Sequence, residues 1–412
     1  MKRPVAAAGA LVFIVLGAGS AAAREPAGAR AEVERLITAS GAEVAVAFRT
    51  LGDKDQLLIG PDVAYHAAST MKVPVMIELF AQAKKGMLRL DDPLPVKNSF
   101  ASIVDGSPYS LDPGDDSDPE IYKSVGGTLS LRRLCEAMIT VSSNLAANLL
   151  IEKLGVANIR KRIHALRADG MDLRRGVEDG KAFQRGLNNT TTARALMVLL
   201  DRIARGRAVD AASDREMVLI LARQRFRDAI PAGLPPGTPV AHKTGSITKI
   251  HHDAAIVYAP RPFVLVVLVR GLQDEKQSAA LIAAIARVLY AVASGPGPVR
   301  ADLLGTLAAP GQREIADEVR AHAIGRDHEV GRHHRGGPGQ QGVRRHERAA
   351  VTAGRVVGQG LEDAAQSRHD RRGRVGPVQE DDRAVLEVVD PVGPGDGARV
   401  LLVTRPHGVV RT

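Results

Sequence analysis

Ser69-Thr70-Met71-Lys72-Val73-Pro74-Val75-Met76-Ile77-Glu78-Leu79-Phe80 reads as the opening of a helix that carries Val73, Met76 and Phe80 on one face and ends around Gly86. Spaced three residues apart on a helix, Ser69 and Lys72 share one side, a turn apart. A serine hydroxyl is a weak nucleophile until a neighbouring base takes its proton, and a partly desolvated lysine amine can be that base. The helix N-terminus also aims backbone N–H groups at negative charge that gathers there. The same four residues can equally be an N-cap beside a solvated lysine, so their meaning depends on what surrounds them.

Upstream, a short helix from Ala31 to about Ser40 precedes the alternation Glu43-Val44-Ala45-Val46-Ala47-Phe48, a turn at Gly52-Asp53, and Gln56-Leu57-Leu58-Ile59. These two runs read as a β-hairpin. Downstream, Asp91 to Gly127 is rich in Pro, Gly and Asp and reads as loop. Helical periodicity follows. Ser130 caps a helix with the stripe Leu131, Leu134, Cys135 and Met138; another runs from about Leu145 to Lys153 and stops at Gly155; a third carries Leu196, Leu199, Leu200 and Ile203 and ends at Gly206. Strands return through Lys243-Thr244-Gly245, Ala254 to Tyr258 and Phe263 to Val269, before a closing helix from about Asp274 to Ala293. Strands, then helices, then strands and a helix predict an α/β (α+β type) fold: an antiparallel sheet built from the N- and C-terminal segments, flanked by helices, with an all-helical lobe inserted. The sheet-bearing lobe is expected over 31–66 and 212–295, and the helical lobe over 67–211.

Two further clusters change the weight of the first. Ser142-Ser143-Asn144 lies between two predicted helices, and Lys243-Thr244-Gly245 lies on a predicted strand, where glycine lets a substrate backbone approach closely. Each has an ordinary explanation, a helix cap and a strand edge. The three in this order along one domain are much harder to attribute to accident.

With Ser-x-x-Lys, the Ser142-Ser143-Asn144 cluster and Lys-Thr-Gly in hand, residues 30–295 resemble the serine penicillin-recognising enzymes, and among them the class A β-lactamases most closely. The resemblance implies that Ser69 is the acylated nucleophile, Lys72 a proton acceptor and Ser142 a relay to the departing nitrogen. It further implies that Asn144 binds the substrate amide, that Lys243 and Thr244 hold the substrate carboxylate beside Gly245, and that the N–H groups of Ser69 and Ser246 form the oxyanion hole. Ser143 departs from the family's usual Asp, which bears on how that loop is held. The deacylating glutamate is sought ahead of the Thr-rich start Asn189-Thr190-Thr191-Thr192, where the acid pair is Glu178-Asp179. Glu178 is the candidate base and Asp179 the fallback. Four residues beyond Glu178 stands Ala182 where the family's partner Asn is expected, and Asn188 could fill that role only in a rearranged loop.

The resemblance implies an exported serine β-lactamase acting on a small-molecule β-lactam or peptidoglycan-like substrate through a Ser69 acyl-enzyme. A D,D-peptidase or related amide or ester hydrolase is the alternative within chemistry, and a non-hydrolytic binder or sensor the alternative outside it. No cofactor, metal or nucleic-acid partner is expected, and a monomer is. His251-His252-Asp253 looks like a metal cluster, but adjacent side chains on an extended segment face opposite ways. Lys249 and Arg270 read first as solvated charges, with help for a substrate carboxylate as the alternative. The single Cys135 sits at an apolar helix position and reads as a small buried hydrophobe.

Residues 1–23 read as a secretory signal, with Lys2 and Arg3 followed by an apolar run to about Gly19 and a small-residue cleavage site at Ala21-Ala22-Ala23. Export to the periplasm or medium, without stable membrane association after cleavage, follows as an expectation. Of the 412 residues, 56 are Lys or Arg and 46 Asp or Glu; the excess is spread over the body of the chain, which excludes a polybasic arm as its source. From 301 to 412 there is no Lys, Asn, Phe, Tyr, Met, Cys or Trp, although Arg and His are frequent, as in His333-His334-Arg335 and Arg371-Arg372-Gly373-Arg374. Such a stretch has little with which to pack a core or stack on bases. The missing types mostly need A/T-rich codons, so this tail reads either as a frameshift or run-on past a stop near residue 295, or as a disordered extension.

Overall fold

The computed structural model describes residues 25–53, 55–295 and 314–321; the leader pattern of residues 1–23 and the His333 and Arg371 clusters lie outside them. α1 (Ala29–Ser40) ends at Gly41, whose φ of 67° gives the left-handed turn that glycine adopts without strain. β1 (Glu43–Thr50) and β2 (Gln56–Ile59) form the expected antiparallel hairpin. A single 3-10 turn, Ala68–Met71, then leads into α2 (Lys72–Lys84), so Ser69 precedes the α-helix proper and Lys72 begins it. Pro74 is tolerated because it lies in the first turn, where backbone N–H groups have no partner within the helix.

The connection from 91 to 127, expected to be loop, carries three short strand segments: Pro93–Pro95 pairs with Thr128–Ser130, and Phe100–Ala101 with Pro108–Tyr109. α3 (Leu131–Thr140) is capped by Ser130, whose hydroxyl accepts from the Arg133 N–H at 3.2 Å. α4 (Asn144–Leu154) is capped by Ser143. Gly155, at φ 81°, is the only residue between α4 and α5 (Val156–Ala165), a helix that the sequence reading did not single out among its charged residues. α6 (Gly180–Gln184), α7 (Ala193–Ala204) and α8 (Ala211–Ala222) follow, each started by the side chain of Asp179, Thr192 or Asp210.

The chain then returns as β3 (Val240–Ile247), β4 (Ile250–Val257) and β5 (Phe263–Arg270), and closes with α9 (Glu275–Ser294). β4 begins earlier than its apolar run suggests. The reversal between Ile247 and Ile250 is tight, with Lys249 at φ 59°, so pairing starts at once and takes in His251-His252-Asp253. The sheet order is β2-β1-β5-β4-β3, antiparallel throughout, and β1 joins β5 in the register Glu43↔Arg270 to Thr50↔Phe263. Strands from both ends of the domain therefore make one sheet, as anticipated.

Both faces of this sheet are covered, which is why β5 is a continuous apolar run and not an alternation. Val44, Val46, Phe48 and Val267 pack with Ile282, Ile285 and Leu289 of α9 on one side; Ala45, Ala47, Val266 and Leu268 join the cores of α2, α3, α4 and α7 on the other. α7 lies against the sheet although the sequence boundary at 211 groups it with the helical lobe. α9 is long and apolar enough to cross a membrane by length and composition, yet half of it is buried within the fold. Residues 314–321, in the stretch expected to lack a packed core, form a short helix: Val319 is buried, and Glu314 and Glu318 reach Arg215 at 3.3 and 2.8 Å.

Candidate active site

The turn that holds Ser69 is pinned from several directions. The Ala67 N–H donates to the Asn189 carbonyl at 2.8 Å, the Thr70 hydroxyl donates to the Ala67 carbonyl at 2.6 Å, and the Ala68 N–H donates to His66 Nδ1 at 3.0 Å. Ala68 has φ 44°, a conformation that side-chain-bearing residues seldom adopt. Three of the five described non-glycine residues with positive φ lie at this site: Ala68, Ser142 and Glu178. Such strain persists only where surrounding contacts over-determine it, and it concentrates at functional sites.

β3 runs beside this turn. A Cβ on Gly245 would stand 3.1 Å from the backbone nitrogens of Ser69 and Thr70 and from Thr70 Cγ2. Glycine is thus what lets the strand close on the Ser69 N–H. Ser69, Ser142, Asn144, Thr244, Gly245 and Ser246 together line a cavity of about 530 Å³, and β3 is the edge strand that borders it.

Behind the cavity lie two fully buried lysines, an expensive arrangement unless their donors are satisfied. Lys72 Nζ donates to the Ser142 carbonyl at 2.5 Å, to Asn144 Oδ1 at 2.8 Å and to Ser142 Oγ at 3.2 Å. Lys243 Nζ donates to the same Ser142 hydroxyl at 3.0 Å and to the Thr244 carbonyl at 2.9 Å. Burial pulls the Lys72 amine down to about 7, against the opposing charges of Asp116 and Glu178. Burial also holds Lys243 well below the usual lysine range; the Lys72 charge adds to this and Asp253 opposes it. Ser142 Oγ thus bridges two amines, one of them poised to accept a proton near neutrality.

Glu178 joins the same network. Asn144 Nδ2 donates to Glu178 Oε1 at 2.7 Å, so one amide side chain connects Lys72 to the carboxyl. Glu178 is exposed along its outer side. Desolvation by the surrounding protein pushes its pKa above the ordinary carboxylate value, the Asn144 hydrogen bond opposes this, and the charges of Asp116 and Asp115 add to it. Asp179 is otherwise engaged: it is buried, accepts from Ser102 Oγ and the Ile103 N–H at 2.9 Å each, and caps α6 through the Ala182 N–H at 3.1 Å. Its burial opposes ionisation, but these hydrogen bonds and the Arg175 charge outweigh that and hold it below the usual range. Both its oxygens are thus engaged in anchoring the loop. Asn188 does not stand in for the missing partner at Ala182, because its Oδ1 accepts from Arg175 Nη2 at 3.0 Å.

The loop that presents Glu178 is held by residues to which the sequence reading gave no role. Asn148 Oδ1 accepts from the Val177 N–H at 2.7 Å and its Nδ2 donates to the Val177 carbonyl at 3.1 Å. Asn144 and Asn148 are four apart, so one face of α4 meets the loop twice, a signal that was available in the spacing. Asn189 closes the loop's neck by accepting from the N–H groups of Arg174 and Arg175 at 2.8 and 3.1 Å. Asp116, within the Pro- and Asp-rich connection, accepts from α4's first N–H groups, and no local pattern marks it.

The histidine pair divides as strand geometry requires. His251 Nδ1 meets Ser278 Oγ of α9 at 2.8 Å, whereas His252 Nε2 meets the His66 carbonyl at 2.9 Å on the opposite side. Asp253 is turned to His242 and to the Ile230 N–H, each at 3.0 Å. Arg270 pairs with Glu43 and lies 4.7 Å from the centre of the Tyr65 ring; neither it nor Lys249 lines the cavity. Cys135 is buried, and burial pushes its thiol up to about 12.

Comparison with known proteins gives consistent matches. Residues 28–293 match the family described as the β-lactamase enzyme family. A β-lactamase of Streptomyces albus G is 30% identical over 190 residues, which cover 43% of this chain and 60% of that protein. The β-lactamase CTX-M-97 of Escherichia coli is 26% identical over 63% of this chain and 87% of its own length. The crystal structure of a β-lactamase from Chitinophaga pinensis superposes with a TM-score of 0.57 at 25% identity, covering 65% of this chain and 99% of that one.

Proposed function

The chain belongs to the β-lactamase enzyme family, and from this we propose that it is a serine hydrolase that opens the β-lactam amide through an acyl-enzyme on Ser69. The Ser142 hydroxyl, shared between the buried amines of Lys72 and Lys243, carries the reading. Lys243 and Thr244 hold the substrate carboxylate, Thr244 from the cavity wall and Lys243 from behind it. Ser69 Oγ attacks the lactam carbonyl as its proton passes to Lys72 Nζ, whose pKa burial lowers to about 7. The carbonyl oxygen gathers charge beside the N–H groups of Ser69 and Ser246. When the C–N bond breaks, Ser142 Oγ delivers a proton to the departing nitrogen and is resupplied by Lys72. One proton has then moved from Ser69 to the lactam nitrogen, and the ester on Ser69 remains.

Hydrolysis of that ester needs a base for water. Glu178 supplies it: its carboxyl takes a proton from water as oxygen attacks the ester, and the proton returns to Ser69 Oγ by way of Lys72 as the product acid leaves. Asn144 holds Glu178 and Lys72 in one network and offers its amide to the substrate. The leader pattern supports export to the periplasm or medium, and the enzyme works there as a monomer.

Mixing the purified protein with a chromogenic cephalosporin, while following hydrolysis and intact mass, tests this. Turnover by the native protein and a stable Ser69 adduct in Glu178→Ala are expected. A stable adduct on the native protein would instead favour a D,D-peptidase or a sensor, unchanged turnover in Glu178→Ala would remove that residue as the base, and neither turnover nor adduct would end the reading.

A further inference from the structure

We propose that Asp116 is a positioning residue for this reaction: its carboxylate, reaching in from the 91–127 connection, clamps the first turn of α4 so that Asn144 bridges Lys72 and Glu178. This rests on the roles given to Lys72 and Glu178 above. Asp116 is only 5% exposed, and the groups around it are donors. Oδ1 accepts from the Asp118 N–H at 3.0 Å and the Asn144 N–H at 3.1 Å; Oδ2 accepts from the Leu145 N–H at 2.9 Å, the Tyr122 hydroxyl at 3.0 Å and the Ser143 hydroxyl at 3.4 Å, and also lies 3.0 Å from the Asn144 N–H. A group that accepts at both ends is required, which a carboxylate is and a carboxamide is not. The first N–H groups of a helix have no partner within it, and they carry its positive end. Ser143, the residue that replaces the expected Asp in this cluster, contributes only a hydroxyl, so the carboxylate arrives from 27 residues upstream.

Holding the backbone of Asn144 fixes its side chain, and both of that side chain's contacts are catalytic candidates: Lys72 at 2.8 Å and Glu178 at 2.7 Å. The Asp116 charge also acts on those two groups, raising the affinity of each for its proton. Asp116→Asn should therefore do two things. A displaced Asn144 should lower kcat/KM by about a hundredfold, the scale of a 1 Å misplacement. Loss of the charge should move the pH midpoints of both acylation and deacylation to lower pH, which a merely structural defect would not do.

The experiment compares the native protein with Asp116→Asn, with Asp116→Glu and with the exchange Asp116→Ser/Ser143→Asp. Acylation and deacylation rates are read against pH, and amide hydrogen exchange is read at Asn144 and Leu145. Support consists of lower midpoints and faster exchange at those two amides in Asp116→Asn, retained midpoints with slower turnover in Asp116→Glu, and recovery of both in the exchanged protein. Reduced rates with unmoved midpoints, unchanged exchange at Asn144 and Leu145, or failure of the exchanged protein to recover either property would overturn it. If the native protein neither turns over a β-lactam nor is acylated, the functional reading falls, while exchange in the same variants still decides whether Asp116 holds α4.

Discussion

Gly176→Ala should slow deacylation while leaving acylation nearly intact. A Cβ built at Gly176 would stand 2.5 Å from Asn148 Oδ1 and 2.9 Å from its Cγ, with the Tyr109 hydroxyl at 3.2 Å; real Cβ contacts essentially never fall below 3.0 Å. Either Asn148 or the loop must retreat by about 0.5 Å or more, because a close-packed interior offers no slack. Asn148 is not free to swing away, since both ends of its amide are bonded to the Val177 backbone. Breaking those two bonds costs about 1–3 kcal/mol at the usual 0.5–1.5 each. If the loop lifts instead, Glu178, two residues on, moves with it, and a misplacement near 1 Å is worth about a hundredfold in rate, or roughly 2.7 kcal/mol of barrier. Ser69, Lys72, Ser142 and Lys243 lie outside this loop. Rapid mixing with a chromogenic cephalosporin should then give a burst of normal rate, a steady state depressed by tenfold or more, and an acyl-enzyme visible by mass. A variant whose steady-state rate equals that of the native protein, with no accumulated adduct, would refute the claim that this contact places Glu178.

Two further outcomes follow from the site. The acylation rate should fall about tenfold per pH unit below a midpoint near 7, because Lys72 must be neutral to take the Ser69 proton and its pKa lies near 7; a single-turnover profile flat down to pH 5 would exclude Lys72 as the base. Gly245→Ala places a methyl group 3.1 Å from the Ser69 and Thr70 nitrogens, so acylation and deacylation should both fall, by about tenfold to a hundredfold as β3 is pushed off the oxyanion donors; a variant slowed in only one step would count against that geometry.

The catalytic candidates that the sequence revealed are those whose meaning is local. Ser69 and Lys72 lie one turn apart, Ser142 and Asn144 flank a helix start, and Lys243-Thr244-Gly245 is a strand segment; each pattern is complete within four residues, and the fold brings the three together. Glu178 was legible only by its place ahead of the Thr-rich start, because the family partner expected at 182 is alanine and its actual partner, Asn144, lies 34 residues away. Asp116 could not be found in this way: nothing distinguishes it from Asp112, Asp115 or Asp118 except the arrival of α4. The same limit explains the missed elements. α5 has only Ile159 and Ile163 fully buried among basic residues, and the strand pairs of 93–109 are two or three residues long, too short for periodicity to register. Periodicity reports what one segment buries, whereas a carboxylate that caps a distant helix leaves no trace in its own neighbourhood.

The register of β1 against β5 also constrains how the molecule is made. Val46 to Arg49 pairs with β2 as soon as the hairpin exists, but the other edge of β1 stays open until residues 263–270 have been synthesised, more than two hundred residues later. Such non-local pairing is slow, and an unpaired apolar edge invites association with other chains. A chain stopped between Glu178 and Phe263 contains Ser69, Lys72, Ser142, Asn144 and Glu178 and still lacks the strand that completes the sheet beside β1. The nascent polypeptide therefore has to be kept from its neighbours until residue 270 of its 412 has been made, and termination before β5 yields a sticky intermediate in place of a smaller enzyme.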